Sequence, residues 1–164
     1  MTHDAPALHT VYLSLGTNLG DKRHNLDRAL EAIGELVGRI VSRSSYVETE
    51  PWGFDSDNTF LNACACVCTP LSPQALLEAT QEIERTLGRT SKTAGHVYHD
   101  RIIDIDILLY DQEQVRLPGL EIPHPHMSER LFVLVPLDEI AHDTMVPGSL
   151  KSVGSMLSTL QARP

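Results

Sequence analysis

The chain has 164 residues, of which 41% are hydrophobic, and a formal net charge of −9. This length predicts one domain, residues 1–164, with a disordered N-terminal extension at residues 1–9 and a core that needs no disulfide or metal. The acidic balance argues against a nucleic-acid surface, and no apolar run is long enough to span a membrane or act as a signal peptide. We therefore expect a cytoplasmic monomer that binds small molecules.

The first half of the chain reads as strand, turn, helix, strand, strand. Residues 11–15 predict a strand, residues 16–20 a turn, and Asp21 the N-cap of a helix whose apolar stripe recurs at helical spacing. The members of that stripe are Leu26, Leu30, Ile33 and Val37. Residues 39–47, which are rich in β-branched side chains, predict the second strand, and residues 60–67 predict the third.

Three cysteines occupy every second position of the third strand: Cys64, Cys66 and Cys68. Side chains two residues apart on a strand are separated by roughly 6.6 Å, which is too far for a compact tetrahedral thiolate site. The spacing therefore predicts small packed hydrophobic side chains in a reducing compartment.

The second helix opens at Ser72 and Pro73 and ends at Gly88. Its predicted inner stripe is Leu76, Thr80, Ile83 and Leu87, and its opposite side carries Leu77, Gln81 and Glu84. A fourth strand in the run of residues 101–110 completes the order βαββαβ. This order predicts an α+β, ferredoxin-like antiparallel sheet with both helices on one face, which leaves the other face or its rim for a ligand. A hairpin at residues 113–122, a helical turn at 136–141 and a helix at 153–160 follow.

The fourth strand carries the strongest chemical signal. Asp104 and Asp106 share one face, while Ile103, Ile105, Ile107 and Leu109 are predicted to fill the other. Two like charges on one sheet face are costly unless a cation lies between them, so the pair predicts a metal site, although an edge strand with one wet face is the simpler alternative. The preceding segment, residues 89–101, is basic and loop-like and is typical of an active-site lid.

Further patterns are compatible with a heterocycle and a phosphate. Phe60 and Asn62 share strand parity, so an aromatic ring and an amide face the same space, and Phe132 is a candidate second aromatic. His124 and His126 lie in a proline-rich loop, and Arg130 adds a cation to the same region. The turn at residues 16–20 lacks the ending of a P-loop and is interpreted as a structural turn.

Five segments in order, residues 12–20, 48–53, 60–63, 101–107 and 122–127, resemble the 6-hydroxymethyl-7,8-dihydropterin pyrophosphokinase family. The resemblance runs from the first strand to about Ala141. It implies that ATP donates its pyrophosphoryl group to the hydroxymethyl oxygen of the reduced pterin and releases AMP, in folate biosynthesis. It also implies two Mg²⁺ ions, with ATP as co-substrate.

The family's functional positions match particular residues of this chain. The resemblance implies metal ligands at Asp104 and Asp106, and catalytic roles for these two residues together with Arg89 and Arg101. It implies pterin contacts at Thr49, Trp52, Phe60, Asn62 and Phe132. It implies ATP contacts at Leu77, Gln81, Glu84, Lys92, Tyr98, Arg101, Ile107, His124 and Arg130.

The chain departs from the family's pattern at several points. Residues 98–101 read Tyr-His-Asp-Arg where many members have Trp-Gly-Pro-Arg, Lys92 falls near a loop arginine, and Pro125 replaces a common aromatic residue. A metal-dependent phosphodiesterase is the main alternative, because paired carboxylates and histidines also serve hydrolysis. An RNA-recognition module shares the strand order, but 5% aromatic residues and a net negative charge disfavour it.

Overall fold

The computed structural model describes residues 7–49, 59–88 and 102–163. The elements of the first half are β1 His9–Thr17, α1 Lys22–Leu36, β2 Arg39–Arg43, β3 Val47–Thr49, β4 Phe60–Thr69 and α2 Pro73–Gly88. Those of the second half are β5 Asp104–Tyr110, β6 Val115–Leu117, β7 Leu120–Ile122, a short 3-10 turn Met127–Glu129, α3 Leu131–Ala141, β8 Met145–Val146, β9 Lys151–Ser152 and α4 Val153–Gln161.

The main sheet is antiparallel and has the strand order β2-β4-β1-β5, with β3 pairing with β4 along the same side as β2. This is the order expected of a ferredoxin-like βαββαβ unit, so the predicted fold class is confirmed. The central strand β1 has β4 on one side and β5 on the other. Register partners on the three neighbouring strands β4, β1 and β5 therefore lie side by side in rows across the sheet.

One face of the sheet is covered by α1 and α2, as predicted. Both predicted helical stripes are buried there, and Asp21 caps α1 by accepting a hydrogen bond from the backbone N–H of His24. The odd-numbered residues of the strands, such as Leu13, Ala65 and Ile105, complete this core. The burial of alternate residues fixes the strand register, because a slip of one residue would expose every one of them.

The opposite face, of which the whole or the rim is expected to be left for a ligand, is covered along part of its length. α3 and α4 pack there in a second cluster that includes Cys64, Leu134 and Met156. The predicted helical turn at residues 136–141 is in fact the second half of α3, which begins at Leu131 and contains Pro136. In the described part of the chain, the end of this face that carries Asp104 and Asp106 is partly accessible.

A β-bulge in β5 corrects the predicted position of Leu109. Leu13 pairs with Ile107 and the next residue of β1, Tyr12, pairs with Leu109, so Leu108 is an extra residue. Beyond it the alternation reverses: Leu109 joins the second cluster and Tyr110 the first. Before it the predicted alternation is confirmed, and Asp104 and Asp106 point away from the α1 and α2 face.

Two further boundaries differ from the prediction. The strand predicted at residues 39–47 is interrupted between Arg43 and Val47, where the Ser44 hydroxyl donates to the Ser45 carbonyl and accepts from the Cys64 N–H. His9, assigned to a disordered extension, is the first residue of β1 and pairs with Asp111 at 2.8 Å. The other end of the extension, residues 1–6, lies outside the described residues. Among the described helices, none combines the length and apolar character needed to cross a membrane.

Candidate active site

The two aspartates of β5 form the centre of the candidate site. Asp104 lies opposite Gly16 of β1 and Asp106 opposite Ser14, and both carboxylates are half-buried. Ile105, between them, faces the core, and its backbone N–H donates a 2.7 Å hydrogen bond to the Glu84 carboxylate of α2. Glu84 therefore ties the strand that carries the acids to the helix behind it.

His124 stands beside Asp106. It follows a cis Ile122–Pro123 peptide bond, and its backbone N–H donates to the carbonyl of Leu108. Its Nδ1 accepts a hydrogen bond from the backbone N–H of His126, which leaves Nε2 4.0 Å from Asp106 Oδ1. Burial, followed by the positive charge of Arg130, lowers the pKa of His124, so the ring is neutral at pH 7.

Arg130 and Phe132 flank the start of α3. The guanidinium of Arg130 lies over the Phe132 ring, 5.6 Å from its centroid, and is near enough to His124 to affect the pKa of that ring. The contact with the Phe132 ring orients the Arg130 guanidinium, which the sequence places near the histidines but whose direction it does not predict. Among the described residues, this part of the site thus combines two carboxylates with the Arg130 guanidinium and the neutral imidazole of His124.

A cavity of about 430 Å³ opens next to the acid pair. Its lining includes Leu77, Asp106, Ile107 and His124, four residues that the resemblance assigned to ATP or metal. Ile105, Leu117, Gly119, Leu120 and Pro125 also contribute to it. The volume falls within the range of small-molecule pockets.

The hairpin β6–β7 contributes two charged residues to this cavity that sequence reasoning did not select. Arg116 and Glu121 are cross-strand partners in the hairpin, and their side chains approach within 3.6 Å. The sequence signal that could have revealed them is the hairpin itself, because its register places an oppositely charged pair on one face.

A second group of polar and aromatic residues lies across β1 from the acids. Asn62 is buried, and its Nδ2 donates a 2.8 Å hydrogen bond to the Thr49 hydroxyl. Thr49 is the register partner of Phe60, so the three predicted pterin residues of β3 and β4 are adjacent. The hydrogen bond to Thr49 fixes the amide plane and orients Asn62 Oδ1 toward Gly16.

Gly16 separates the two groups. Asp104 and Asn62 are both its register partners, on β5 and β4 respectively. A Cβ added at Gly16 would lie 3.0 Å from Asn62 Oδ1 and 3.7 Å from Phe60 Cδ1. The glycine therefore leaves a gap in the sheet surface between a carboxylate and an amide, which sequence reasoning interpreted only as part of a turn.

Not every predicted residue converges on this area. Gln81 is on the exposed surface of α2, one turn after Leu77, and is not among the residues that line the cavity. Trp52, Arg89, Lys92, Tyr98 and Arg101 lie outside the described residues. The cysteines are free; Cys64 and Cys66 are buried and Cys68 is half-buried, in agreement with a packing role.

A carboxylate pair, a nearby guanidinium and an adjacent cavity on a ferredoxin-like sheet are features of small enzymes that act on phosphate groups. The family model for 7,8-dihydro-6-hydroxymethylpterin-pyrophosphokinase (HPPK) matches residues 12–142. The chain belongs to this family.

Curated relatives carry the same designation, 2-amino-4-hydroxy-6-hydroxymethyldihydropteridine pyrophosphokinase. The Porphyromonas gingivalis protein is 54% identical over 132 residues, which covers 80% of this chain and 90% of the relative. The Methylorubrum extorquens protein is 44% identical over 139 residues, with coverage of 84% and 86%. The Bacillus subtilis protein is 42% identical over 131 residues, with coverage of 79% and 77%.

Solved structures support the fold independently of sequence. The wild-type HPPK-DHPS protein of Plasmodium falciparum superimposes with a TM-score of 0.77 at 14% identity, covering 96% of this chain and 45% of that one. A second structure of that protein, with pterin and p-hydroxybenzoate, gives a TM-score of 0.75 at 16% identity, covering 96% and 42%. At these identities the similarity concerns the fold alone.

Proposed function

We propose that the protein transfers the pyrophosphoryl group of ATP to 6-hydroxymethyl-7,8-dihydropterin, giving AMP and the pterin diphosphate, in folate biosynthesis. The observation that carries this function is the family match over residues 12–142, supported by relatives of the same designation at up to 54% identity. These comparisons do not favour the alternative, a metal-dependent phosphodiesterase.

The reaction is a substitution at the β phosphorus of ATP. A bond forms between the pterin hydroxymethyl oxygen and the β phosphorus, the bond from that phosphorus to the oxygen bridging the α phosphate breaks, and AMP leaves with that oxygen. The hydroxyl proton passes to solvent. Phosphoryl transfer needs mainly positioning and charge neutralisation, and this chain's own residues supply both.

Asp104 and Asp106 fit the role of Mg²⁺ ligands. Their donors are carboxylate oxygens, which Mg²⁺ prefers, and both lie half-buried on the accessible end of the sheet. Mg²⁺ held by these two carboxylates would supply positive charge to the phosphates and would acidify the attacking hydroxyl. We propose two such ions, as the family resemblance implies.

The nucleotide occupies the cavity beside Asp106. Leu77 and Ile107 supply apolar contact, and His124, which is neutral at pH 7, can donate a hydrogen bond to a phosphate oxygen. Arg130 contributes positive charge next to His124. Gln81 and Glu84 of α2 keep the ATP contacts that the resemblance implies, although neither lines the cavity itself. Arg89, Lys92, Tyr98 and Arg101 also keep their proposed roles from the resemblance, with Arg89 and Arg101 catalytic.

The pterin lies over Gly16, between the acids and β3. Phe60 and Phe132 stack on its ring, and Asn62 Oδ1 accepts from its amino or ring N–H groups, because Nδ2 is already committed to Thr49. The hydroxymethyl group then points across Gly16 toward Asp104. Thr49 and Trp52 complete the pterin contacts in this proposal.

We also propose that the single domain acts as a cytoplasmic monomer without nucleic acid. Free cysteines suit a reducing compartment. The net charge of −9 opposes polyanion binding.

The decisive experiment incubates the protein with ATP, Mg²⁺ and the pterin alcohol, and separates the nucleotide products. AMP that forms only when the pterin is present supports the proposal. ADP as the product would identify an ordinary kinase, and AMP formation without the pterin would identify a hydrolase. Asn62→Ala should weaken pterin binding while ATP binding is retained.

A further inference from the structure

A lysine outside the candidate site connects the two strands that hold the pterin residues. Lys22 is the first residue of α1, and its Nζ donates to both the carbonyl oxygen and the hydroxyl of Thr59, at 3.1 and 3.2 Å. The same Nζ is 3.9 Å from Glu48 Oε2. The Thr59 hydroxyl in turn donates a 2.8 Å hydrogen bond to that carboxylate oxygen, which closes a three-residue cluster.

The members of this cluster directly precede pterin residues in the chain. Glu48 is followed by Thr49, and Thr59 by Phe60, and Thr49 and Phe60 are register partners. Side chains alternate along a strand, so Glu48 faces α1 while Thr49 faces the ligand side. The contacts that hold Glu48 and Thr59 together on the α1 side of the sheet therefore also set the spacing of Thr49 and Phe60 on the ligand side.

The start of α1 is suited to act as a fixed point. Asp21 caps the helix, and Asn25 Nδ2 donates to the Thr17 hydroxyl and to the Leu19 carbonyl. The helix is thereby tied to the turn after β1, directly beyond Gly16. The Lys22 side chain is 28% exposed and that of Glu48 is 64% exposed, so solvent screens the ion pair between them. The partly buried hydrogen bonds from Lys22 to Thr59 therefore carry more of the contact.

We propose that Lys22, acting through Glu48 and Thr59, is a positioning residue for pterin recognition. It touches no substrate; it holds the register pair Thr49 and Phe60, and through Thr49 the amide of Asn62, at the separation that the flat ring requires. This inference rests on the proposed function. It adds a determinant of pterin affinity that is independent of the nucleotide side.

The test compares Lys22→Met with Lys22→Arg and with a matched control, Arg28→Met, which removes the same charge from an exposed position of α1. The dissociation constants of 6-hydroxymethyl-7,8-dihydropterin and of α,β-methylene ATP are measured separately by calorimetry. We expect Lys22→Met to weaken pterin binding by roughly three- to tenfold, with ATP-analogue affinity within about twofold of wild type. Lys22→Arg restores most of the loss, and Arg28→Met resembles wild type.

Two outcomes overturn the proposal: unchanged pterin affinity in Lys22→Met, or equal losses of pterin and nucleotide affinity, which would indicate general damage to the fold. If Lys22→Met does not fold, Thr59→Val replaces it in the test, because it removes the hydroxyl that bonds to both Lys22 and Glu48. We expect the same selective loss of pterin affinity in this variant. A wild-type protein that binds no pterin even at saturating α,β-methylene ATP would instead refute the proposed function, so the two failures are distinguishable.

Discussion

Glu84 accepts a hydrogen bond from the backbone N–H of Ile105, the residue between the two aspartates, at 2.7 Å. Among the described strands, β5 lies at the edge of the sheet and pairs only with β1, so no described strand accepts from this N–H on its outer side. The Glu84 carboxylate accepts the hydrogen bond from this N–H and thereby fixes the position of β5 relative to α2. The resemblance implies an ATP contact for Glu84, and the structure gives it in addition a contact with the strand that carries the acids.

Glu84→Ala should lower the free energy of unfolding by about 1–2 kcal/mol, because a partly buried N–H loses its charged acceptor. Glu84→Gln retains an acceptor oxygen and should recover most of that stability. Urea denaturation of the three proteins checks this expectation. Wild-type stability in Glu84→Ala would mean that the contact with Ile105 contributes nothing in solution.

Replacement of either acid by its amide should abolish turnover without loss of the fold. Asp104→Asn and Asp106→Asn retain side-chain size on a face that α1 and α2 do not cover, so the melting temperature stays near that of wild type. The rate of AMP formation at saturating Mg²⁺ should fall by about 10²–10³-fold or more, because charge neutralisation of the phosphates is lost.

The control for this pair is Glu35→Gln, which removes a carboxylate from an exposed position of α1 and should leave the rate unchanged. Addition of EDTA to the wild-type protein should reproduce the loss. Substantial activity in either aspartate variant would remove that residue from the proposed metal site.

Gly16→Ala tests the gap between Asp104 and Asn62. The new methyl would lie 3.0 Å from Asn62 Oδ1. Either the Asn62 amide moves, or the methyl group occupies the space proposed for the pterin ring. We expect pterin affinity to fall about tenfold, which corresponds to ~1.4 kcal/mol and lies in the usual range for overpacking. Equilibrium binding of the pterin at saturating ATP analogue measures the effect.

Gly34→Ala is the matched control, because a Cβ at this position of α1 meets nothing within 4 Å. It should leave pterin affinity unchanged and stabilise the helix by about 0.5–1 kcal/mol. Pterin binding by Gly16→Ala with wild-type affinity would show that the ligand does not lie over this residue.

The pH dependence of stability should contain a contribution from His142 at the end of α3. Its Nδ1 is 2.7 Å from Asp138 Oδ1, and this hydrogen bond raises the pKa of His142 above its ordinary value of 6.5. A group whose pKa is raised on folding stabilises the protein fully below the unfolded-state pKa and loses that effect as pH rises through the folded-state pKa. Asp138→Asn should therefore cost more stability at acidic than at alkaline pH.

Chemical denaturation of wild type and Asp138→Asn at about pH 5.5 and about pH 8.5, on either side of the ordinary histidine pKa, measures this difference. Asp143→Asn removes a neighbouring charge without removing the hydrogen bond, and should show a smaller pH effect. An equal cost at both pH values would contradict the assignment of the raised pKa to Asp138.

The sequence was sufficient for features that depend on a repeating pattern. The stripes of α1 and α2 follow the helical period, and the orientation of Asp104 and Asp106 follows the strand period, so local spacing alone determines both. The adjacency of Asn62 and Phe60 follows in the same way. These elements include the centre of the candidate site.

Other features depend on contacts between distant residues, which a local pattern does not contain. The bulge at Leu108 lies in a run that is apolar throughout, so nothing in the run marks a change of face. The sequence predicts only residues 136–141 of α3, because Leu131–Leu137 is apolar on all sides and has no apolar stripe that would mark the start of the helix. The contacts of Lys22 and of Glu84 each join residues more than 20 positions apart.

The extra residue in β5, Leu108, divides that strand into two parts whose side chains make different contacts. Up to Ile107 the carboxylates alternate with core residues; after Leu108 the phase is reset, and Tyr110 anchors the opposite end through its hydroxyl, which donates to the Leu71 carbonyl at 2.6 Å. Substitutions at the Tyr110 end should therefore change the packing of the molecule more than the orientation of Asp104 and Asp106.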